Sequence, residues 1–154
     1  MKPEEIKPDT ALCTIIGYNA QTGNRRRFFN KILKANGINA TAIALNIKDE
    51  HFPITMENLA QSKVTKMIIE PEFQEQAVNY CNELDERSKV RGLVGFVEVK
   101  DGKIYGYNFD VDIDNLVENP EFFDENMILA IRMMLLANRW YGAKIDMEMV
   151  PTII

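Results

Sequence analysis

Three consecutive arginines, Arg25, Arg26 and Arg27, follow Gly23 where a predicted strand gives way to a predicted helix. Three cations in a first helical turn oppose the helix dipole, which favours acidic side chains at that end. The same end of a helix offers unpaired backbone N–H groups, and guanidinium forks bind carboxylates and phosphates strongly. The cluster therefore predicts a site for a small anion that involves Gly23, Arg25 and Arg26.

Helical spacing separates the three arginines from one another. Arg25 and Arg26 each precede apolar positions of the helix by three or four residues, so we expect both to lean toward the edge of a sheet. Arg27 instead shares a face with the lysines of the helix, which is the pattern of a solvated surface. The alternative for Arg25 and Arg26 is a structural role, paired with local acids such as Glu70 or Glu72.

A metal site is the other chemistry that acidic residues could provide. Five acids fall loosely at the spacing of a calcium loop, namely Asp110, Asp112, Asp114, Glu118 and Glu121. Asn115 stands where such a loop needs glycine and Pro120 interrupts it, so a solvated acidic loop is expected instead. His51 is the only histidine, which excludes a multi-histidine centre. We expect no bound metal.

Composition places the chain among globular proteins of one domain, here residues 1–154 with a polar leader over residues 1–10. Hydrophobic residues make up 46% and charged residues 27%, with a net charge of −5. Apart from the arginine cluster the basic residues are scattered, which argues against nucleic-acid binding. No apolar run is long enough to span a membrane. Cys13 and Cys81 show no CxxC spacing, so we expect reduced thiols and a cytoplasmic protein.

The hydrophobic pattern alternates between predicted strands and predicted helices. The predicted strands are 11–18, 40–47 and 66–70, and the predicted helices are 24–36, 52–63 with Thr55 as N-cap, and 71–89. A hairpin of two strands, 93–99 and 103–109, follows, because Asp-Gly between them supplies the positive φ of a tight turn. This order predicts an α/β fold, a three-layer sandwich in which helices flank a mixed, mainly parallel sheet.

A last predicted helix, over residues 121–141, carries apolar residues on more than one face. Such a helix must pack extensively, either on the sheet or on another subunit. The chain is therefore a candidate homo-oligomer, or an interaction module, through this C-terminal helix.

Two stretches of sequence resemble the shikimate and quinate dehydrogenases. The hairpin GLVGFVEVKDGKIYGYNFD is similar to that family's Gly-Ala-Val-Asn-Thr, Asp-Gly-Lys, Gly-x-Asn-Thr-Asp hairpin. The segment MILAIRMMLLANRWYGAKIDMEMVP is similar to its closing helix, with Trp140 and Gly142 at the Trp-x-Gly ending. The resemblance implies the fold of the family's substrate-binding domain, closed by a helix at residues 120–142.

The family's NADP-binding domain has no counterpart in this pattern. In the family, that domain lies between the hairpin and the closing helix, where this chain has only about ten residues, Val111 to Pro120. The eight glycines contain no GxGxxG motif. We therefore expect no NADP-binding domain and no cofactor on this chain.

Most of the polar positions that the family uses are changed in this sequence. The resemblance puts Gly23 and Arg25 at the two serines that bind the substrate carboxylate, and Arg26 at the adjacent proline. It puts Phe73 at the catalytic lysine. The substrate-binding Asn and Thr and the hairpin Asn are replaced by Met67, Ile69 and Gly95.

A few positions still match the family or carry a new polar group. Asn108 and Asp110 remain, Asp110 being the acid of the family's Lys-Asp pair, and Arg132 stands at a substrate-facing glutamine. Without the lysine, the group that would accept the proton of a substrate hydroxyl is missing. We therefore expect a degenerate, non-catalytic domain that binds a small carboxylate or phosphate. Its ligand-binding residues would be Gly23, Arg25, Arg26, Asn108, Asp110 and Arg132.

Two alternatives to this function stay open. One is a protein-interaction or oligomerisation module that docks through the C-terminal helix. The other is a dehydrogenase half that acts with a separate NADP-binding partner, which the missing lysine disfavours.

Overall fold

The computed structural model describes residues 6–109, 113 and 123–154, so the first half of the predicted leader, residues 1–5, lies outside it. The strands are β1 Ala11–Gly17, β2 Ala40–Asn46, β3 Lys66–Ile69, β4 Glu83–Leu84, β5 Phe96–Lys100 and β6 Lys103–Tyr107. The helices are α1 Asn24–Ala35, α2 Phe52–Leu59, α3 Pro71–Ala77, α4 Glu86–Arg91, α5 Glu125–Tyr141 and α6 Val150–Ile153. The predictions of β1, α1, β2 and β3 are confirmed to within one residue at each end.

The described strands form one six-stranded sheet in the order β2-β1-β3-β5-β6-β4. β1 pairs in parallel with β2 and β3, and β4 pairs in parallel with β6. β5 runs antiparallel to both of its neighbours, β3 and β6. The prediction of a mixed, mainly parallel sheet is therefore confirmed.

Helices cover both faces of this sheet. Because alternate residues of a strand point to opposite sides, one strand can contribute to the core on each face. On β1, Cys13 and Ile15 belong to a core that also contains apolar residues of α1 and α5, whereas Ile16 belongs to a second core with residues of α2 and α3. Phe29 of the first core and Phe73 of the second are both fully buried. The three-layer arrangement is thus confirmed.

Two turns that the sequence predicts are confirmed by the backbone angles. Gly37 follows α1 with a φ of 66°, in the left-handed conformation that commonly ends a helix. Asp101 and Gly102 join β5 to β6 with φ values of 52° and 74°, both positive as a two-residue hairpin turn requires.

The single helix predicted over residues 71–89 is wrong, because α3 is followed by β4 and then by a separate α4. The Asn82 side chain accepts a hydrogen bond from the backbone N–H of Ile104 at 2.7 Å, and the Asn82 N–H donates to the Ile104 carbonyl at 2.8 Å. Asp85 then caps α4 by accepting a hydrogen bond from the Ser88 N–H at 2.8 Å. These local side-chain bonds compete with the backbone bonds of a continuous helix and interrupt it.

The predicted N-cap of the second helix is also wrong. α2 begins at Phe52, with Pro53 in its first turn, where the missing N–H of proline costs least. Thr55 lies inside the helix, and its hydroxyl donates to the carbonyl of His51 at 2.7 Å. A hydroxyl bonded to the preceding turn is typical of a threonine in a helix interior rather than at a cap.

The C-terminal helix α5 packs within the chain. It begins at Glu125 after Asp124, whose carboxylate accepts a hydrogen bond from the Met127 N–H at 2.8 Å, and residues 121 and 122 lie outside the described part. Its buried residues are Ala130, Ile131, Met133, Met134, Leu136 and Ala137. They pack against α1 and the sheet. α5 has 17 residues, and no helix within the described ranges is long and apolar enough to cross a bilayer.

Glu98 of β5 anchors the end of α5 to the sheet. Its carboxylate accepts hydrogen bonds from Arg139 at 2.7 and 3.3 Å and from the Trp140 indole N–H at 2.8 Å. Burial alone would raise the pKa of Glu98, but these donors and the Arg139 charge lower it below the ordinary value of 4.5. The anchor fixes the rotation of α5 and so the position of Arg132, about two turns earlier.

Candidate functional site

A cavity of about 240 Å³ lies between the N-terminal end of α1, the start of α3, the open end of the hairpin and α5. Its described walls contain four polar side chains, those of Arg25, Gln74, Asn108 and Arg132. The other lining residues are apolar or glycine: Pro71, Leu93, Gly95, Phe96, Phe109, Met133 and Leu136. The fold thus brings together three of the residues that the sequence singled out, Arg25, Asn108 and Arg132.

Arg25 reaches this cavity while it is paired with an acid from another element. Its Nη1 atom lies 3.1 Å from Oε2 of Glu70, and the two side chains are only 11% and 13% exposed. Burial lowers the pKa of Arg25; the Glu70 carboxylate opposes this shift and the positive charge of Arg132 adds to it. Burial also raises the pKa of Glu70, against the effect of Arg25. The acid that the first turn of α1 lacks is therefore supplied by the residue after β3.

Two glycines make room for Glu70. A Cβ atom on Gly17 would lie 2.7 Å from the Cβ atom of Glu70, and one on Gly23 would lie 3.2 Å from its Oε1 atom. That Oε1 atom is buried without a hydrogen-bond partner among the described residues. Gly23 is the N-cap of α1 and does not line the cavity. Its position is explained by the neighbouring carboxylate and not by contact with a ligand in this cavity.

Arg26 and Arg27 point away from the cavity and line a separate groove with Gly23. Arg26 is exposed and donates to the carbonyl of Gln21 at 3.0 Å. Arg27 donates to the side chain of Asn24 at 2.8 Å. Of the three arginines, Arg25 alone lines this cavity, and the alternative of an ion pair with Glu70 also applies to Arg25. Arg26 lies beside the edge strand β2, where it lines another groove with Thr41 and Ile43.

Asn108 and Arg132 reach the cavity from the hairpin and from α5. Asn108 is 4% exposed, and its Nδ2 atom donates to the carbonyl of Leu93 at 3.3 Å. Arg132 is partly buried on the face of α5 that lines the cavity. Asp110 lies outside the described residues. So do the other acids of the calcium-loop pattern, Asp112, Asp114, Glu118 and Glu121.

The position matched to the catalytic lysine does not face the cavity. Phe73 is fully buried in the second core, on the other side of the sheet, where its ring stacks on Phe52 with centroids 4.7 Å apart. The next residue, Gln74, lines the cavity, and its Nε2 atom donates to the carbonyl of Ile69 at 2.9 Å. The sequence contained a signal that Gln74, and not Phe73, faces the cavity. Phe73 and Ala77 are spaced four residues apart on the core face of α3, and Gln74 lies beside that face.

Two more positions matched to substrate-binding residues face away from the cavity. Met67 and Ile69 are buried in the second core, 3% and 0% exposed. Gly95, matched to the hairpin asparagine, does line the cavity. The apolar residues of α5 that line the cavity, Met133 and Leu136, were not identified from the sequence. Sequence reasoning assigned the apolar residues of the C-terminal helix to core or interface and did not single out those that face a cavity.

The polar lining residues can bind an anion but cannot accept a proton at neutral pH. Guanidinium groups remain protonated, and the amides of Gln74 and Asn108 are not bases. Of the described lining residues, none is therefore suited to general base catalysis.

Comparisons with known proteins point to one family, although no family model matches the chain. The shikimate dehydrogenase (NADP(+)) of Aquifex aeolicus is 28% identical over 105 residues, which is 68% of this chain and 39% of that protein. The enzyme of the same name from Methanococcus maripaludis is 26% identical over 105 residues, covering 68% and 38%. The resemblance to the shikimate dehydrogenases is confirmed. This chain spans about two fifths of the length of these shikimate dehydrogenases, the coverage expected of a substrate-binding domain alone.

Solved shikimate dehydrogenases share the fold. One, in complex with NADP+, has a TM-score of 0.66 at 20% identity and covers 75% of this chain and 40% of that chain. The Aquifex aeolicus structure has a TM-score of 0.64 at 21% identity and covers 85% and 54%. The α/β architecture described above is therefore that of a shikimate dehydrogenase-like chain.

Proposed function

We propose that this chain is a non-catalytic, shikimate dehydrogenase-like domain that binds one small anion in the cavity beside Arg25 and Arg132. The observation that carries the proposal is the convergence of Arg25, Asn108 and Arg132, from three different elements, on one cavity. Residues 1–154 would form a single binding domain. The free thiols of Cys13 and Cys81 fit a cytoplasmic location.

The electrostatics of the two arginines favour an anionic ligand. Glu70 offsets much of the charge of Arg25. Burial is the main cause that lowers the pKa of Arg25, and the positive charge of Arg132 lowers it further. A carboxylate or phosphate between the two guanidinium groups would relieve this repulsion and accept forked hydrogen bonds. Asn108 would contribute an amide at the hairpin side of the cavity.

The same residues support binding without turnover. Oxidation of a hydroxyl needs a base for its proton, and the side chain that faces the cavity next to Phe73 is the neutral amide of Gln74. An anion held by Arg25 and Arg132 would therefore be bound and released unchanged.

A dehydrogenase half that acts with a separate NADP-binding partner is the second candidate, and the partial coverage of the relatives is the observation that favours it. It predicts NADP-dependent oxidation only after the two chains are mixed. An interaction module through α5 is less favoured, because the apolar residues of α5 pack on α1 and the sheet.

The experiment that tests anion binding is a thermal-shift screen of small carboxylates and phosphorylated acids, followed by calorimetric titration of the hits. Arg132→Gln should weaken binding about tenfold or more, because a charge-assisted hydrogen bond is lost. Arg26→Gln, in the separate groove, is the matched control and should bind like the parent. Equal affinities for the two variants, or no ligand in the screen, would contradict the proposal.

A further inference from the structure

We infer that the anion has an apolar ring or branched body and is not a polyhydroxylated acid. This inference rests on the proposed function, because it names the class of ligand for the same cavity. Six of the eleven described lining residues are apolar: Pro71, Leu93, Phe96, Phe109, Met133 and Leu136. Apolar walls of this kind favour an apolar ligand surface and disfavour buried hydroxyl groups that find no partner.

The aromatic part of the wall is held rigidly. Phe96 is 3% exposed, and its ring centroid lies 4.7 Å from that of Phe109 and 5.2 Å from that of Tyr107. Trp140 packs edge-on against Phe96 at 5.6 Å. Rings fixed by their neighbours lose little freedom when a ligand binds, so this wall is prepared for an apolar body.

The charged groups lie on one side of the cavity. Arg25, Pro71 and Arg132 also line a neighbouring groove, so the two guanidinium groups lie where the cavity meets that groove. The other residues of the groove are two amides, two acids and three apolar residues: Asn24, Asn126, Glu70, Glu125, Phe123, Ile128 and Leu129. Five of the six apolar lining residues line the cavity and not the groove: Leu93, Phe96, Phe109, Met133 and Leu136. A ligand with a carboxylate at one end and an apolar body at the other matches this division.

The two amides in the wall already serve the protein. The Gln74 side chain donates to the carbonyl of Ile69 at 2.9 Å, and the Asn108 side chain donates to that of Leu93 at 3.3 Å. Both bonds brace the backbone around the cavity and use part of the donor capacity of each amide. Several ligand hydroxyls would compete for the remaining hydrogen-bonding capacity of the two amides, whereas a ring without hydroxyls makes no demand on that capacity.

The volume limits the size of the body. About 240 Å³ is below the roughly 300–1,000 Å³ of sites that hold drug-sized ligands, so one ring with a carboxylate is the appropriate scale. Cyclohexenecarboxylate has this size, and shikimate is the same ring acid with hydroxyl groups added.

Calorimetric titration with these two acids tests the inference. We expect cyclohexenecarboxylate to bind on the order of tenfold or more tightly than shikimate. Tighter binding of shikimate would overturn the inference while leaving the anion site intact. Binding of neither acid, nor of any carboxylate or phosphorylated acid in the screen, would overturn the proposed function itself.

A polar variant of the wall gives a second, independent readout. Gly95 lines the cavity, and a Cβ atom there would meet only the carbonyl oxygen of Tyr107, at 3.8 Å, so the backbone position has room for the Cβ atom of Gly95→Asn. We expect this variant to narrow the preference for cyclohexenecarboxylate over shikimate by about tenfold, because it adds an amide for hydroxyl groups. An unchanged ratio in a folded Gly95→Asn protein would count against an apolar ligand body.

Discussion

Nη1 of Arg25 donates a hydrogen bond to Oε2 of Glu70 across 3.1 Å, joining the first turn of α1 to the residue that follows β3. Both side chains are nearly nine-tenths buried. This pair resolves the conflict of an arginine at a helix N-terminus, because the carboxylate places negative charge at the end of α1 where the dipole favours it. It also fixes the guanidinium group at the edge of the cavity.

Arg25→Ala should destabilise the protein by about 3 kcal/mol, because it leaves the buried Glu70 carboxylate without its cation. Arg26→Ala, which removes an exposed arginine from the same turn, should change stability by no more than about 0.5 kcal/mol. Urea unfolding of both variants at neutral pH measures the difference. Equal losses for the two variants would show that the ion pair does not hold the helix end.

The cost of Arg25→Ala should depend on pH. Glu70 already has a raised pKa through burial, and loss of Arg25 removes the effect that opposes the rise. A carboxyl whose folded pKa exceeds its unfolded pKa gains stability as pH falls through the folded value, because the folded state then holds the proton more tightly. The gap between parent and variant should therefore narrow as urea melts are repeated at falling pH, and a gap that widens would contradict the assignment to Glu70.

Gly17→Ala should be strongly destabilising, whereas Gly95→Ala should be tolerated. The added Cβ at Gly17 would lie 2.7 Å from the Cβ of Glu70, but the one at Gly95 would lie 3.8 Å from its nearest neighbour, the carbonyl oxygen of Tyr107. Overpacking of this kind costs roughly 1–3 kcal/mol. Thermal unfolding followed by circular dichroism compares the two, and a Gly17→Ala protein as stable as the parent would refute the close fit.

Glu98→Gln should cost about 2 kcal/mol, because it weakens the bonds from Arg139 and Trp140 that hold α5. Lys100→Ala, which removes an exposed partner of the same acid, should cost less than about 0.5 kcal/mol. The pKa of Glu98 is lowered, so its contribution is present above the ordinary value of 4.5 and is lost as pH falls below it. Denaturant melts at neutral and acid pH should show the free energies of unfolding of the parent and of Glu98→Gln converging in acid.

Both thiols should react slowly while the protein is folded. Burial raises the pKa of Cys13 to about 12 and that of Cys81 to about 11, so little of either is the reactive thiolate at neutral pH. Cys13 is fully buried and Cys81 only partly, so Cys81 should react first. Labelling with a chromogenic disulfide, with and without denaturant, measures the rates, and rapid labelling of Cys13 in the folded state would contradict the buried assignment.

Features set by local residues could be predicted from the sequence. β1 could be predicted from a run in which Thr14 is the only polar residue, and the hairpin from Asp101-Gly102, because each signal lies within a few consecutive residues. The helix predicted over residues 71–89 failed because Asn82 bonds to Ile104, on a strand more than twenty residues away. Helical spacing alone contains no information about such a partner.

In the candidate site, too, the features set by local sequence could be predicted and those that depend on distant contacts could not. Arg25 could be placed toward the sheet from its position before the apolar stripe of α1, but its pairing with Glu70, 45 residues away, was one of two open alternatives until the fold brought the two together. Gln74 was missed because positions were matched to the family by counting from Pro71, and the fold places the cavity-facing side chain one residue later. The apolar wall combines α5 with the hairpin, which no single stretch of sequence reveals.

Methyl NMR of the methionines tests the central claim, binding of a small carboxylate in this cavity, most directly. Met133 lines the cavity, and Met56 is fully buried in the second core, across the sheet. Titration with cyclohexenecarboxylate, then with shikimate, should shift the Met133 methyl signal saturably for at least one acid and leave Met56 unchanged, and Arg132→Gln should weaken the response. An unmoved Met133 signal with both acids at millimolar concentration and with every other anion of the screen, or the same response in Arg132→Gln, would contradict the account.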